Sequence, residues 1–149
     1  MKETVTIHID DLRTLAEKVA GLLSSMETPR AKVLLLEGGL GAGKTTFTKE
    51  LASVLGIEKE EVHSPTFILK KEYKTKHPHF TKLVHIDAYR FTHPKEAKVL
   101  RLEEDLLEPQ TLIAIEWPSK MKYLQSDMEM EFDVIDEDTR DVTLTYEKK

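Results

Sequence analysis

Lys32-Val33-Leu34-Leu35-Leu36-Glu37 runs directly into Gly38-Gly39-Leu40-Gly41-Ala42-Gly43-Lys44-Thr45, and this junction decides the fold. The octet satisfies the phosphate-loop pattern G-x-x-x-x-G-K-[ST]. The run before it has the composition of a buried central strand. After it, Phe47, Leu51, Val54 and Leu55 recur at helical spacing, and Gly56 stands where a helix stops. Strand, glycine-rich loop and helix in that order predict a P-loop unit. Glycines let the backbone wrap a polyphosphate, so that N–H groups and the helix N-terminus face anionic oxygens. On this reading Gly38 to Thr46 cradle the phosphates of a nucleotide. Lys44 reaches the outer phosphates and the Thr45 hydroxyl ligates Mg²⁺.

The 149 residues predict one α/β domain spanning 1–149, with room for a real core but not for a second full domain. No apolar run approaches the ~18 residues of a membrane span, and the N-terminus lacks a signal-like stretch, so a cytoplasmic protein is expected. With no cysteine, disulfides and thiolate metal sites are excluded. A net charge of −5 disfavours a surface wholly devoted to nucleic acid. The exception is the lysine-rich stretch 70–82. It is either a solvated hairpin tip, the favoured reading, or a contact for RNA or an acidic partner.

Outside the P-loop unit, Thr4 to Ile9 alternates like a half-buried strand. Asp10 or Asp11 then caps a helix whose apolar face is Leu12, Leu15, Ala16, Val19, Leu22 and Leu23. Pro65 makes 62–66 an extended loop. Strands are expected at 67–73, 82–87, 111–116, 128–135 and 141–146, with 67–73 and 82–87 antiparallel and a hairpin at Asp136-Glu137-Asp138. Pro94 opens a helical region that runs to Leu107 and ends at Pro109. The expected fold is a P-loop NTPase-like α/β domain, its mixed parallel and antiparallel sheet flanked by helices.

A P-loop requires a further acid for Mg²⁺ at the end of a neighbouring strand. Asp87 ends Leu83-Val84-His85-Ile86 and Glu116 ends Leu112-Ile113-Ala114-Ile115. Hydrophobicity favours the second strand, and the short carboxylate favours the first. Both ends belong at the ligand-bearing edge of an α/β sheet. Thr66, in its proline-stiffened loop, occupies a place where switch loops carry a hydroxyl. The six histidines show no metal-ligand spacing, and His85 reads as a hydrogen-bonded packing residue.

Leu40-Gly41-Ala42-Gly43-Lys44-Thr45-Thr46, Ser64-Pro65-Thr66-Phe67, His85-Ile86-Asp87-Ala88-Tyr89-Arg90 and Ile115-Glu116-Trp117-Pro118 together resemble the TsaE family, in family order. These are small bacterial P-loop ATPases required for threonylcarbamoyl modification of tRNA at adenosine 37. The resemblance implies ATP and Mg²⁺ as cofactors and catalytic roles for Asp87, Glu116 and Thr66. It assigns the essential acid to Asp87, makes Glu116 an acid that supports hydrolysis, and places Trp117 near the nucleotide. It implies TsaB and TsaD as partners, with tRNA met only indirectly. Gly39 departs from the pattern, since many relatives carry an acid there.

Two enzyme classes compete. A small-molecule kinase would need an acceptor pocket and an arginine-bearing lid, yet Arg13, Arg30, Arg90, Arg101 and Arg140 do not cluster in one loop. A GTPase would read guanine through N-K-x-D, and the chain has no asparagine. A scaffold that binds ATP without hydrolysing it is the alternative outside catalysis.

Overall fold

The computed structural model describes residues 1–39, 41–58, 70–87, 101–116 and 125–147. Their strands are β1 (Lys2–His8), β2 (Lys32–Gly38), β3 (Lys70–Lys74), β4 (Lys82–Asp87), β5 (Thr111–Glu116), β6 (Met128–Val134) and β7 (Thr139–Tyr146). Helices α1 (Leu12–Ser24), α2 (Lys44–Val54) and the short α3 (Leu102–Leu106) complete the set. The strands form one seven-stranded sheet in the order β1-β7-β6-β2-β5-β4-β3. Its centre, β6-β2-β5-β4, is parallel, and antiparallel strands flank it on both sides. The mixed sheet is the architecture the sequence predicts.

Central parallel strands are buried on both faces, which is why β2, β4 and β5 read as nearly continuous apolar runs. Alternation divides them between two layers. Leu34, Leu36, Leu83, Leu112 and Ala114 pack with Leu15, Val19, Phe47 and Leu51 beneath α1 and α2. Val33, Leu35, Val84, Ile86, Ile113 and Ile115 pack with Leu102 of α3 on the opposite face. Gly56 ends the α2 segment at φ +88, as its place in the sequence predicts.

Two local expectations need amendment. A 3₁₀ turn over Ile9–Asp11 precedes α1, and its cap is His8, whose Nδ1 accepts from the Asp10 N–H at 3.0 Å. Asp11 occupies the N-cap position of α1 but makes no side-chain cap bond. The His8 ring thus caps the 3₁₀ turn, and the aspartate cap expected for α1 does not form. The helix expected from Pro94 to Leu107 is helical at Leu102–Leu106. Arg101 is left-handed at φ 57, which interrupts a continuous helix, and 88–100 lie outside the described residues. The extended loop at 62–66 and the start of the strand expected from 67 also lie outside them.

The lysine-rich stretch is only partly a solvated face. Asp105 of α3, 3% exposed, takes Lys70 Nζ at 2.5 Å and Lys82 Nζ at 2.9 Å, and Glu108 takes Lys82 at 3.2 Å. Two lysines of the basic stretch therefore pin α3 to β3 and β4, while Lys74 and Lys76 are exposed. Burial alone would push the Lys82 ammonium pKa down, but hydrogen bonds to Asp105 and Glu108 outweigh it and the pKa is raised. A lysine raised on folding contributes stability in full below its unfolded pKa of about 10.4, and that contribution is lost as pH rises through the folded value. Asp105→Asn is expected to lower the unfolding free energy by about 1–3 kcal/mol at neutral pH. It should also flatten the decline in stability above about pH 10, measured by urea denaturation across that range.

Candidate functional site

The phosphate loop leaves β2 at Gly38 under a steric constraint from the next strand. A Cβ on Gly38 would meet Phe132 O of β6 at 2.9 Å and the Phe132 Cβ at 3.1 Å. Phe132 also packs edge-on against Phe47 of α2, with ring centroids 5.8 Å apart. The loop is thus seated against β6 as well as carried by β2. Within it the Ala42 N–H donates to Gly39 O at 3.1 Å, and the Phe47 N–H donates to Gly43 O at 2.8 Å. Gly43 is the N-cap of α2 at φ +108, a left-handed conformation that glycine adopts without steric penalty. No side chain caps α2 and no acid stands in its first turn, so the positive end of the helix faces the loop. The Lys44 ammonium donates to Gly38 O at 2.6 Å, spanning the loop from end to start.

The acids reach this loop through strand register. Leu36 of β2 is paired with Glu116 of β5, and Glu116 with Asp87 of β4, so the strand ends stand level. Asp87 is in phase with Leu83 and His85, and Glu116 with Leu112 and Ala114. Alternation therefore sends both carboxylates to the face that carries α2. Thr45 Oγ1 donates to Glu116 Oε1 at 3.1 Å. His85 is fully buried, with Nε2 3.3 Å from Glu116 Oε2, but neither ring nitrogen has hydrogen-bond geometry to a partner among the described residues. His85 is thus a buried packing residue, as expected, and its expected hydrogen bond is not made among the described residues. Lys44, Asp87 and Glu116 are at most 7% exposed. Burial pushes the Lys44 pKa down, opposed by the charges of Glu116, Asp87 and Glu37 in that order.

Two buried carboxylates and a hydroxyl, all hard oxygen donors, suit Mg²⁺, which is commonly held by one or two carboxylates together with substrate phosphates. The carboxylates outnumber the one lysine among them, and a cation would balance that excess. The residues fit the metal that the sequence implies. No group of three or more His, Cys, Asp or Glu residues positioned to hold a metal by itself occurs among the described residues. A separate cleft of about 750 Å³, lined by Arg30, Asp127 and Tyr146, opens at the opposite end of β2 and has no part in this arrangement.

Gly38, Gly39, Gly41, Ala42, Gly43, Lys44, Thr45, Thr46, Asp87 and Glu116 are thus assembled at one sheet edge. Leu40, Thr66, Tyr89, Arg90 and Trp117 lie outside the described residues. Gly39 is exposed and a Cβ there meets nothing within 4 Å, so the loop geometry does not demand glycine at that position. Sequence reasoning missed Phe132 and Arg140, the second of which donates from β7 to Ala42 O at 3.0 Å. A signal existed for Arg140. It is in phase with Val142, Leu144 and Tyr146, so the alternation points an arginine inward.

The sequence model of the threonylcarbamoyl adenosine biosynthesis protein TsaE matches residues 7–142. The chain belongs to the TsaE family. A TsaE of Aquifex aeolicus is 36% identical over 145 residues, which cover 97% of this chain and 96% of the relative. A TsaE of Rickettsia bellii is 40% identical over 77% of this chain and 78% of its own, and one from Haemophilus influenzae is 30% identical over 95% and 89%. Among solved structures, Bacillus subtilis YdiB superposes with a TM-score of 0.64 at 28% identity, covering 98% of this chain and 87% of its own. The TsaE family match extends from β1 into β7, and so includes the two loop-backing residues, Phe132 and Arg140, as well as the P-loop and both acids.

The two adjacent loop glycines separate crowding from tolerance. Gly38→Ala is expected to cost about 1–3 kcal/mol of stability through overpacking against Phe132. Gly39→Ala should stay within about 0.5 kcal/mol of the parent. Chemical denaturation of both variants checks the pair.

Proposed function

We propose that this TsaE family member is a Mg²⁺-dependent ATPase of the cytoplasm. In this reading it serves threonylcarbamoyladenosine modification of tRNA as an ATP-driven switch on a TsaB–TsaD complex and meets tRNA only indirectly. The observation that carries the ATPase reading is the hydrogen bond from Thr45 to Glu116, which joins the P-loop hydroxyl to the acid of the adjacent strand. The family membership supports the pathway.

The loop amides and the N-terminus of α2 bind the phosphates, and Lys44 supplies the positive charge beside the outer ones. Mg²⁺, held by Thr45 with Asp87 and Glu116 beside it, would neutralise charge that builds on the transferring phosphoryl group. A water oxygen attacks the γ-phosphorus, the bond from that phosphorus to the β–γ bridging oxygen breaks, and ADP leaves with the electron pair. In this reading Glu116 accepts a hydrogen bond from that water, and the proton the water sheds passes to an oxygen of the released phosphate. Asp87 acts on the metal side. Thr66 and Trp117 enter through the resemblance, as a switch-loop hydroxyl and an indole near the nucleotide. Ordering and release of the Thr66 loop would convert the nucleotide state into a signal for the partner. Turnover by the isolated chain should be slow, because positioning of the water and stabilisation of charge are completed in the complex.

Purified chain should hydrolyse ATP but not GTP, with stimulation by TsaB and TsaD. Phosphate transfer to an added small alcohol would indicate a kinase instead. Binding of ATP with no hydrolysis, even with both partners present, would indicate a scaffold. Lys44→Ala should abolish binding or hydrolysis while the circular dichroism spectrum is unchanged, and full activity in that variant would sink the P-loop assignment. Glu116→Gln should lower kcat by about 10²–10³, the scale for removing one electrostatic contributor, with ATP affinity changed far less. Asp87→Ala should impair Mg²⁺-dependent hydrolysis more than nucleotide binding, and activity equal to the parent's would leave Glu116 as the principal acid.

A further inference from the structure

Arg140 is 7% exposed, and its hydrogen bonds end on main-chain carbonyls of two separate segments. Nε donates to Ala42 O at 3.0 Å and Nη2 reaches Gly41 O at 3.4 Å, both in the phosphate loop. Nη1 donates to Asp136 O at 2.6 Å and Thr139 O at 3.0 Å, and reaches Glu137 O at 3.3 Å, all at the β6–β7 turn. The guanidinium therefore bolts the loop to the hairpin whose Phe132 already lies against Gly38 and Phe47. A plug of the space alone would be met by an apolar residue, as at Val142 and Leu144 along the same face of β7. A buried charge is costly unless its donors are satisfied, and here carbonyls satisfy them.

The carbonyls selected are those whose peptide units matter to the loop. A trans peptide is planar, so its N–H points opposite to its C=O. The peptide that ends in Ala42 O carries the Gly43 N–H, at the threshold of α2. Holding that oxygen on the hairpin side fixes the N–H on the other. Donation to a carbonyl also polarises the peptide and strengthens its N–H as a donor. Glycines at 41 and 43, at φ +76 and +108, otherwise leave these peptide planes free to turn.

We propose that Arg140 is a positioning residue for phosphate binding, holding the Ala42 carbonyl back so that the Gly43 N–H is presented to the nucleotide before it arrives, while the Ala42 N–H is kept within the loop by Gly39 O. The proposal rests on the reading of the loop as an ATP site. Pre-organisation of this kind acts on affinity, because the ordering cost is met in the free protein. Lysine cannot replace it fully, since a single ammonium lacks the planar fork that spans loop and hairpin.

The test compares Arg140→Met, Arg140→Lys and Leu144→Ala in the full chain. Leu144 is fully buried on the same strand, makes none of these contacts, and controls for loss of stability alone. Unfolding midpoints are measured first. ATP·Mg²⁺ affinity, KM and kcat are then measured at a temperature where each variant is folded. Arg140→Met is expected to raise Kd and KM for ATP about ten- to a hundredfold, the scale of one to two charge-assisted hydrogen bonds, with a smaller change in kcat at saturation. Arg140→Lys should recover only part of that loss and carries the test if the methionine variant does not fold. Leu144→Ala should lose stability with Kd unchanged. Parent-like affinity in the Arg140 variants, or an equal loss in Leu144→Ala, overturns the proposal. A parent chain that binds no ATP would instead sink the nucleotide reading itself.

Discussion

The site depends on the register of three parallel strands. Leu36, Glu116 and Asp87 are paired across β2, β5 and β4, and each lies in phase with residues packed under α1 and α2. Two carboxylates thereby reach the side of the sheet where α2 begins. A slip of one residue in either ladder would turn an acid to the α3 face, among Ile86, Ile113 and Ile115. The apolar alternation that buries the core prevents that slip. Packing and the placement of the two acids are therefore one constraint in these strands, and no separate device is needed to aim them.

Helix α2 is aimed by a second set of contacts. Phe132 limits where Gly38 can pass, the Phe47 ring rests on Phe132, and Arg140 holds the loop carbonyls from β7. The loop is consequently fixed between a parallel neighbour that carries acid and another that carries shape. The first, β5, brings the Glu116 carboxylate to Thr45 at the start of α2. The second, β6 with its hairpin, supplies the backing. A Cβ added at Gly39 would meet nothing within 4 Å, so that position is open to a side chain.

Much of this was legible in the residues because the signals were local. The P-loop octet, the apolar runs of β2, β4 and β5, and Gly56 after α2 each act within a few residues of themselves, and the strands appear where the patterns place them. Local pattern leaves Asp87 and Glu116 level, because both end apolar strands whose C-terminal ends stand side by side in the sheet. The His8 cap was missed since a histidine nitrogen substitutes for the usual aspartate. The two lysines bound to Asp105 read as solvated charge because their partner lies more than twenty residues away in the sequence. Arg140 stood in an inward phase, but an inward arginine has meaning only once its distant acceptors are known.

The loop and its clamp are separated by 98 residues along the chain, and among the described residues the first strand pairs only with the last. Both parallel neighbours of β2 are also made after it. During synthesis on the ribosome, the phosphate-binding octet therefore emerges long before anything that shapes it. Contacts of such sequence separation form slowly, since the chain entropy of closing a long loop must be overcome first. The final shape of this loop is accordingly a late event of biogenesis, completed only when the last hairpin is delivered. A truncated or stalled product would carry the whole motif and none of its rigidity.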